Sequence, residues 1–168
     1  YVQYFDWQWA RGAEMSELSA GARLPVTMLF VGLGFMGFLV LWRADRMIFS
    51  YIVVLTGTLS LGLIVYLNFK YGFSLAPHIT DRAAHEVRER DYFFVASFIL
   101  WGNMAGLGLA GFWTALSRRL GGGMAYRKAA PLLLVALIPL AYNWQWASRA
   151  GDYAARDWAY DLLMSVEP

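Results

Sequence analysis

Three stretches of about twenty residues carry no charge at all, and a fourth comes close. Segments 24–42, 47–67 and 92–116 are each long enough to cross the apolar core of a bilayer, which takes roughly 20 apolar residues as a helix. Lipid offers backbone amides no hydrogen-bond partner, so such stretches fold as helices that satisfy their own N–H and C=O groups. The fourth segment, 124–146, is weaker. Its apolar heart is 129–142, with Pro131 suited to a first helical turn and Pro139 placed to kink the helix. A re-entrant segment stays open as the alternative there. The fold class that follows is an all-α integral membrane protein of about four transmembrane helices.

The composition agrees with that reading. Hydrophobic residues make up 59% and charged residues 15%, against about 25% charged in a soluble domain. There is no cysteine, which excludes a disulfide framework and a thiolate metal site. His78 and His85 are the two histidines, too few for a histidine-rich metal centre. The P-loop, HExxH and GxSxG spacings are missing. Net charge is +2, with the basic residues in short loops. That reads as membrane orientation and not as a nucleic-acid surface.

Around the transmembrane region, 24–146, both flanks are amphipathic. Tyr1, Tyr4, Phe5 and Trp9 fall at helical spacing in the segment 1–23. In the tail, 147–168, Ala155, Trp158, Ala159, Leu162, Leu163 and Val166 oppose Arg156, Asp157, Asp161 and Glu167. Helices of this kind beside spans lie in the interface, and Trp42, Trp113, Trp144 and Trp146 near the span ends supply the anchoring aromatic belt. The chain opens at Tyr1 and stops at Pro168 straight after an amphipathic run. We read it as a processed or partial piece of a longer protein, with the tail leading into a soluble region.

Four spans put both termini on one side. Segments 1–23, 68–91 and 143–168 hold 8 basic and 11 acidic residues in 73 positions. Loops 43–46 and 117–128 hold 6 basic and 1 acidic in 16 positions. Density of Lys and Arg in short loops marks the cytoplasmic side. The expected topology has these two loops in the cytoplasm and both termini outside.

The third span carries the most specific packing signal. Gly102, Gly106, Ala110 and Thr114 recur every four residues as one small-residue ridge, with Asn103 beside it at mid-membrane. Small residues let helix backbones approach closely, and a buried amide there seeks a partner on a neighbouring helix. Packing within the chain and docking to another subunit both fit. Gly32, Gly34 and Gly37 give the first span a similar, weaker surface. No acidic residue lies inside any span, which argues against ion transport by these helices alone.

Arg88, Glu89, Arg90 and Asp91 stand at the foot of the third span. As a helix, 81–91 would pair Glu86 with Arg90 and Arg88 with Asp91. A self-paired, solvated collar is one reading. The other is contact with a partner or an anionic lipid headgroup, since guanidinium groups suit bidentate phosphate binding.

The run from Arg88 to Phe98 resembles the signature of a bacterial family of polytopic membrane proteins related to the transmembrane protein O-mannosyltransferases of the GT-C type. The stretch Asn143-Trp144, with Arg149, Tyr153, Ala155-Arg156-Asp157 and Ala159-Tyr160, is similar to the segment that leaves the last membrane helix in that family. Tyr4-Phe5 and residues 7–12 resemble an upstream aromatic stretch. The resemblance implies the C-terminal part of a GT-C-like membrane domain in a bacterial inner membrane, without the first external loop that holds the catalytic acid. Two departures stand out: Val87 replaces a proline, and Gln145-Trp146-Ala147-Ser148 replaces a run rich in aspartate and histidine.

The expected function is that of a non-catalytic membrane subunit, or fragment, that packs against and stabilises a larger complex. Respiratory and photosynthetic assemblies recruit small subunits of this kind. The alternative is the membrane part of a glycosyltransferase that uses a lipid-linked sugar. The expected partners are membrane lipids and other membrane subunits, with no nucleic acid and no catalytic residue or metal site. No cofactor is assigned, and a lipid or pigment against the Trp-rich edges has no assigned ligand residue.

Overall fold

The computed structural model describes residues 1–14, 20–67, 70, 78–81, 84, 91–122 and 124–165, without the side chains of 13, 14, 20–22, 91 and 146. Among the described residues there is no strand. Four helical rods are long and apolar enough to cross a membrane: Arg23–Ala44, Arg46–Tyr66, Tyr92–Leu120 and Ala125–Gln145. The all-α reading and its four spans therefore hold, with ends within a few residues of those expected.

A short helix α1, Val2–Ala10, and a 3-10 turn, Arg11–Glu14, precede the first span, α2, Ala20–Ala44. One residue, Asp45, separates α2 from α3, Arg46–Gly57. Its backbone is extended, and its carboxylate accepts from the N–H groups of Met47 and Ile48 at 2.9 and 3.0 Å. That satisfies two of the helix's orphan donors, the usual role of an aspartate N-cap. The tight hairpin is closed by Phe49, which packs edge-on against Phe38 and Trp42.

The second span continues from α3 through one π-helical turn, Thr58–Gly62, into α4, Leu63–Tyr66. The hydroxyls of Thr58 and Ser60 donate to the carbonyls of Val54 and Thr56. Hydroxyls that bond back to the preceding turn compete with the helical ladder, and the low-propensity Gly57 and Gly62 flank the bulge. The widened turn sits where these weaknesses coincide.

A 3-10 turn, Asp91–Phe94, leads into α5, Val95–Leu120. Gly121 and Gly122 end it with φ of 62° and 81°, a region open to glycine at little cost. The fourth rod is α6, Ala125–Ala129, then a 3-10 run, Ala130–Leu137, then α7, Ile138–Ala147. Pro139, expected to kink the helix, lies in the first turn of α7, just past the end of the 3-10 run. A proline ring clashes with the carbonyl four residues back, here that of Val135. The Ile138 N–H bonds Val135 three residues back instead, as a 3-10 helix does. At about 2.0 Å rise per residue against 1.5 Å, the run also lengthens a short span by roughly 4 Å. A final helix α8, Ala154–Met164, has every residue exposed.

The bundle is organised on the crossing of α2 and α5, its most extensive helix contact. A Cβ on Gly37 would overlap the Met104 carbonyl, and one on Gly108 would overlap that of Leu33. Gly34 lies under the Trp101 ring and Gly111 against Val40. Two backbones therefore touch directly, as glycine allows and no other residue does. Gly32-x-Gly34-x-x-Gly37 and Gly106-x-Gly108-x-x-Gly111 both spell the dinucleotide-binding spacing. Neither follows a strand or opens a helix, so the phosphate-binding context is missing.

Candidate functional site

The densest polar chemistry among the described residues lies where α1 meets the start of α2 and the end of α7. Tyr4, Trp9 and Ala10 are buried, and the aromatic stripe of α1 faces the spans. Trp9 stacks on Phe30, with ring centroids 4.7 Å apart and planes 6° from parallel. Phe5 meets Phe98 and Trp101 edge-on. Tyr1 packs against Phe94 and Phe98, and its hydroxyl lies 3.1 Å from that of Ser97, which in turn donates to the Phe94 carbonyl. Burial pushes the Tyr1 phenol above its ordinary pKa, opposed by the Ser97 hydrogen bond.

Two polar ties hold α1 in place. Asp6 forms an ion pair with Arg23 at the foot of the first span and accepts a hydrogen bond from Thr27 one turn further in. Both ionic side chains are largely shielded, 18% and 14% exposed, so each charge depends on its neighbour for stabilisation. On the other side, Asn143 of α7 accepts from the Arg11 N–H at 2.9 Å and donates to the Gln8 carbonyl at 2.8 Å. One amide thus satisfies a donor and an acceptor at the C-terminal end of α1, where helical carbonyls lack partners.

A hollow of about 540 Å³ opens beside the ion pair, lined by Gln3, Asp6, Arg23 and Thr27 on its polar side and by Phe5 and Met28 among its apolar walls. A second, of about 420 Å³, lies further along α2 against α5 and the 3-10 run, with Gly32, Met36 and Phe112 in its lining. Met28 is a wall of both.

Of the residues singled out in the sequence, Arg88, Glu89 and Arg90 lie outside the described residues. Asp91 opens the 3-10 turn below α5, with its side chain outside the description. Gly102 and Gly106 meet no neighbour within 4 Å of a Cβ position. They border a hollow of about 220 Å³ shared with Trp9, Ala136 and Pro139. Ala110 and Thr114 are half-buried, with the Thr114 hydroxyl bonded to the Ala110 carbonyl. The tight crossing uses the other small-residue face of α5, at Ala105, Gly108 and Gly111. Asn103 is exposed, with no hydrogen bond to a described residue.

Trp42 is exposed beneath the Arg46 guanidinium, 5.0 Å from its ring centroid. Trp113 is half-buried, and its indole N–H donates to the Tyr126 carbonyl at 3.2 Å. Trp144 is exposed, and the side chain of Trp146 lies outside the description.

Asp6, Arg23, Thr27 and Asn143 are the residues that sequence reasoning passed over as a constellation. The available signal was weak: an acid within an aromatic run, and an arginine just before a span. No protein-family model matches the chain, and neither a curated protein nor a solved structure matches it.

Proposed function

We propose that this chain is a non-catalytic membrane subunit that packs against and stabilises a larger membrane-protein assembly. Asn103 carries the reading. It lies roughly 16 Å along the helix from Tyr92 at 1.5 Å per residue, about the depth of a half-bilayer. Its amide is exposed on a transmembrane face and has no partner within the described chain. Leaving such a group in hydrocarbon costs about 4–8 kcal/mol, and a hydrogen bond from an adjoining helix removes most of that cost. Ala96 and Gly106 are exposed nearby, so a partner backbone can come close. The positive-inside count supports cytoplasmic loops at 43–46 and 117–128.

The test is gentle solubilisation of native membranes followed by purification. The wild-type chain is expected in a stoichiometric complex. Asn103→Leu is expected to lose the partner while keeping its own helical content and melting temperature, because Asn103 makes no hydrogen bond to a described residue. A chain that purifies alone would refute the proposal. So would a longer polypeptide that transfers sugar from a lipid donor and fails to do so with Arg88→Ala.

A further inference from the structure

We infer that the paired hollows on α2 form a binding site for one zwitterionic phospholipid with a primary-amine headgroup. The upper hollow has a carboxylate and a guanidinium side by side, Asp6 and Arg23, with Gln3 and Thr27 beside them. That pair carries no net charge but offers both signs within one headgroup's reach. A phosphate suits the guanidinium fork, and an ammonium suits the carboxylate. An anionic lipid with no amine would leave Asp6 facing a second negative charge, at a cost in a site shielded from water.

Depth agrees with charge. Arg23 begins the apolar span, which places the polar end of the hollow at the membrane edge. Gly32 lies nine residues further along α2, roughly 14 Å at 1.5 Å per residue, close to the bilayer midplane. The second hollow is centred there and is lined by apolar side chains, Leu29, Met36, Phe112 and Leu132 among them. Met28 lines both hollows, and its unbranched thioether adapts its shape readily. A lipid with its headgroup at Asp6–Arg23 can therefore lay one acyl chain past Met28 into the slot at Gly32. Both volumes fall in the range of ligand sites, about 300–1,000 Å³. This site does not depend on the subunit reading, because it lies on α2 and α1 and not on the Asn103 face.

Gly32 supplies the test. A Cβ there meets nothing within 4 Å, so the side chain of Gly32→Phe starts into the open space of the acyl slot. The delipidated protein is titrated with phosphatidylethanolamine and with phosphatidylglycerol of matched chains, and retained lipid is read by native mass spectrometry. Wild type is expected to hold one phosphatidylethanolamine with about tenfold preference. Gly32→Phe is expected to weaken retention about tenfold, with unchanged circular dichroism and unchanged melting of the lipid-free form. Asp6→Asn is expected to erase the headgroup preference. If that variant misfolds, the headgroup comparison in wild type and the Gly32→Phe result decide alone. Equal retention of the two lipids, full retention by Gly32→Phe, or a dimer of this chain that Gly32→Phe breaks would each overturn the site.

Discussion

The first and second spans are equally apolar, yet they are held in opposite ways. The first is clasped to the third through Gly37 and Gly108, backbone against backbone. The second has no buried residue between Arg46 and Tyr66. It is joined at its start by the Asp45 hairpin, and Leu67 just past its end packs with Tyr4, Phe94 and Phe98. The difference teaches that apolarity places a helix in a membrane but does not choose its neighbours. Lipid tails are as apolar as leucine, so association follows close approach and polar ties. The first span has glycines where the third can meet them. The second spends Gly57 and Gly62 on a bulge.

The sharpest way to break this contrast is to add carbon at the crossing. Gly37→Val and Gly108→Val would each force two backbones apart, and no side chain can rotate away to relieve the overlap. We expect a loss of about 3 kcal/mol or more, the upper end for overpacking, measured by denaturation in mild detergent. Gly102→Ala is the control. Its Cβ enters open space, and alanine for glycine inside a helix gains about 0.5–1 kcal/mol. If the two kinds of variant behaved alike, the crossing would not be where the bundle is held.

That prediction also marks how far the sequence could be read. The spans were legible because apolarity is a property of each segment alone. The ridge was not, because α5 is small on two faces. Gly102, Gly106 and Ala110 make one; Ala105, Gly108 and Gly111 make the other. Only the position of Gly37 on another helix selects between them. Asp6 and Arg23 were hidden for the same reason: they are distant along the chain and meet only once α1 folds back on α2. Pro139 pointed to a kink, while the 3-10 run 130–137 before it was not foreseen.

The attachment of α1 comes next in size. Asn143→Ala removes both hydrogen bonds that tie the end of α1 to α7, from the Arg11 N–H and to the Gln8 carbonyl. The expected cost is about 1–3 kcal/mol, with earlier amide exchange in α1 than in α5. Unchanged protection of α1 would mean that its aromatic stripe alone secures it. For the second span, Asp45→Ala removes the N-cap bonds to Met47 and Ile48. A loss of about 0.5–2 kcal/mol is expected, confined to the hairpin because the rest of that span has so little packing to lose.

The smallest effects are set by pH, and they should run in opposite directions at the packed and unpacked ends of the molecule. Tyr1 sits in the packed end, and burial raises its phenol pKa. A raised value in the folded state means that its contribution is complete below the unfolded value near 10 and fades as pH climbs through the folded one. Asp152 sits before the exposed α8. Its carboxyl is held below the usual range by the Ala154 N–H first and by Arg149 second. A depressed value means that the turn it braces is complete above the unfolded value near 4 and is lost as pH falls through the folded one. Chemical shifts of the two sites followed across a titration read both. Alkali should disturb Ser97 on α5 through Tyr1, because the phenol is part of the bundle. Protonation of Asp152 should disturb residues around 149–154, where its carboxylate accepts from the Ala154 N–H and from Arg149. Asp152→Asn removes the same charge without acid, and a shift change from it that reached α5 would show that α8 is tied to the bundle, so that the contrast between clasped and free helices would have to be redrawn.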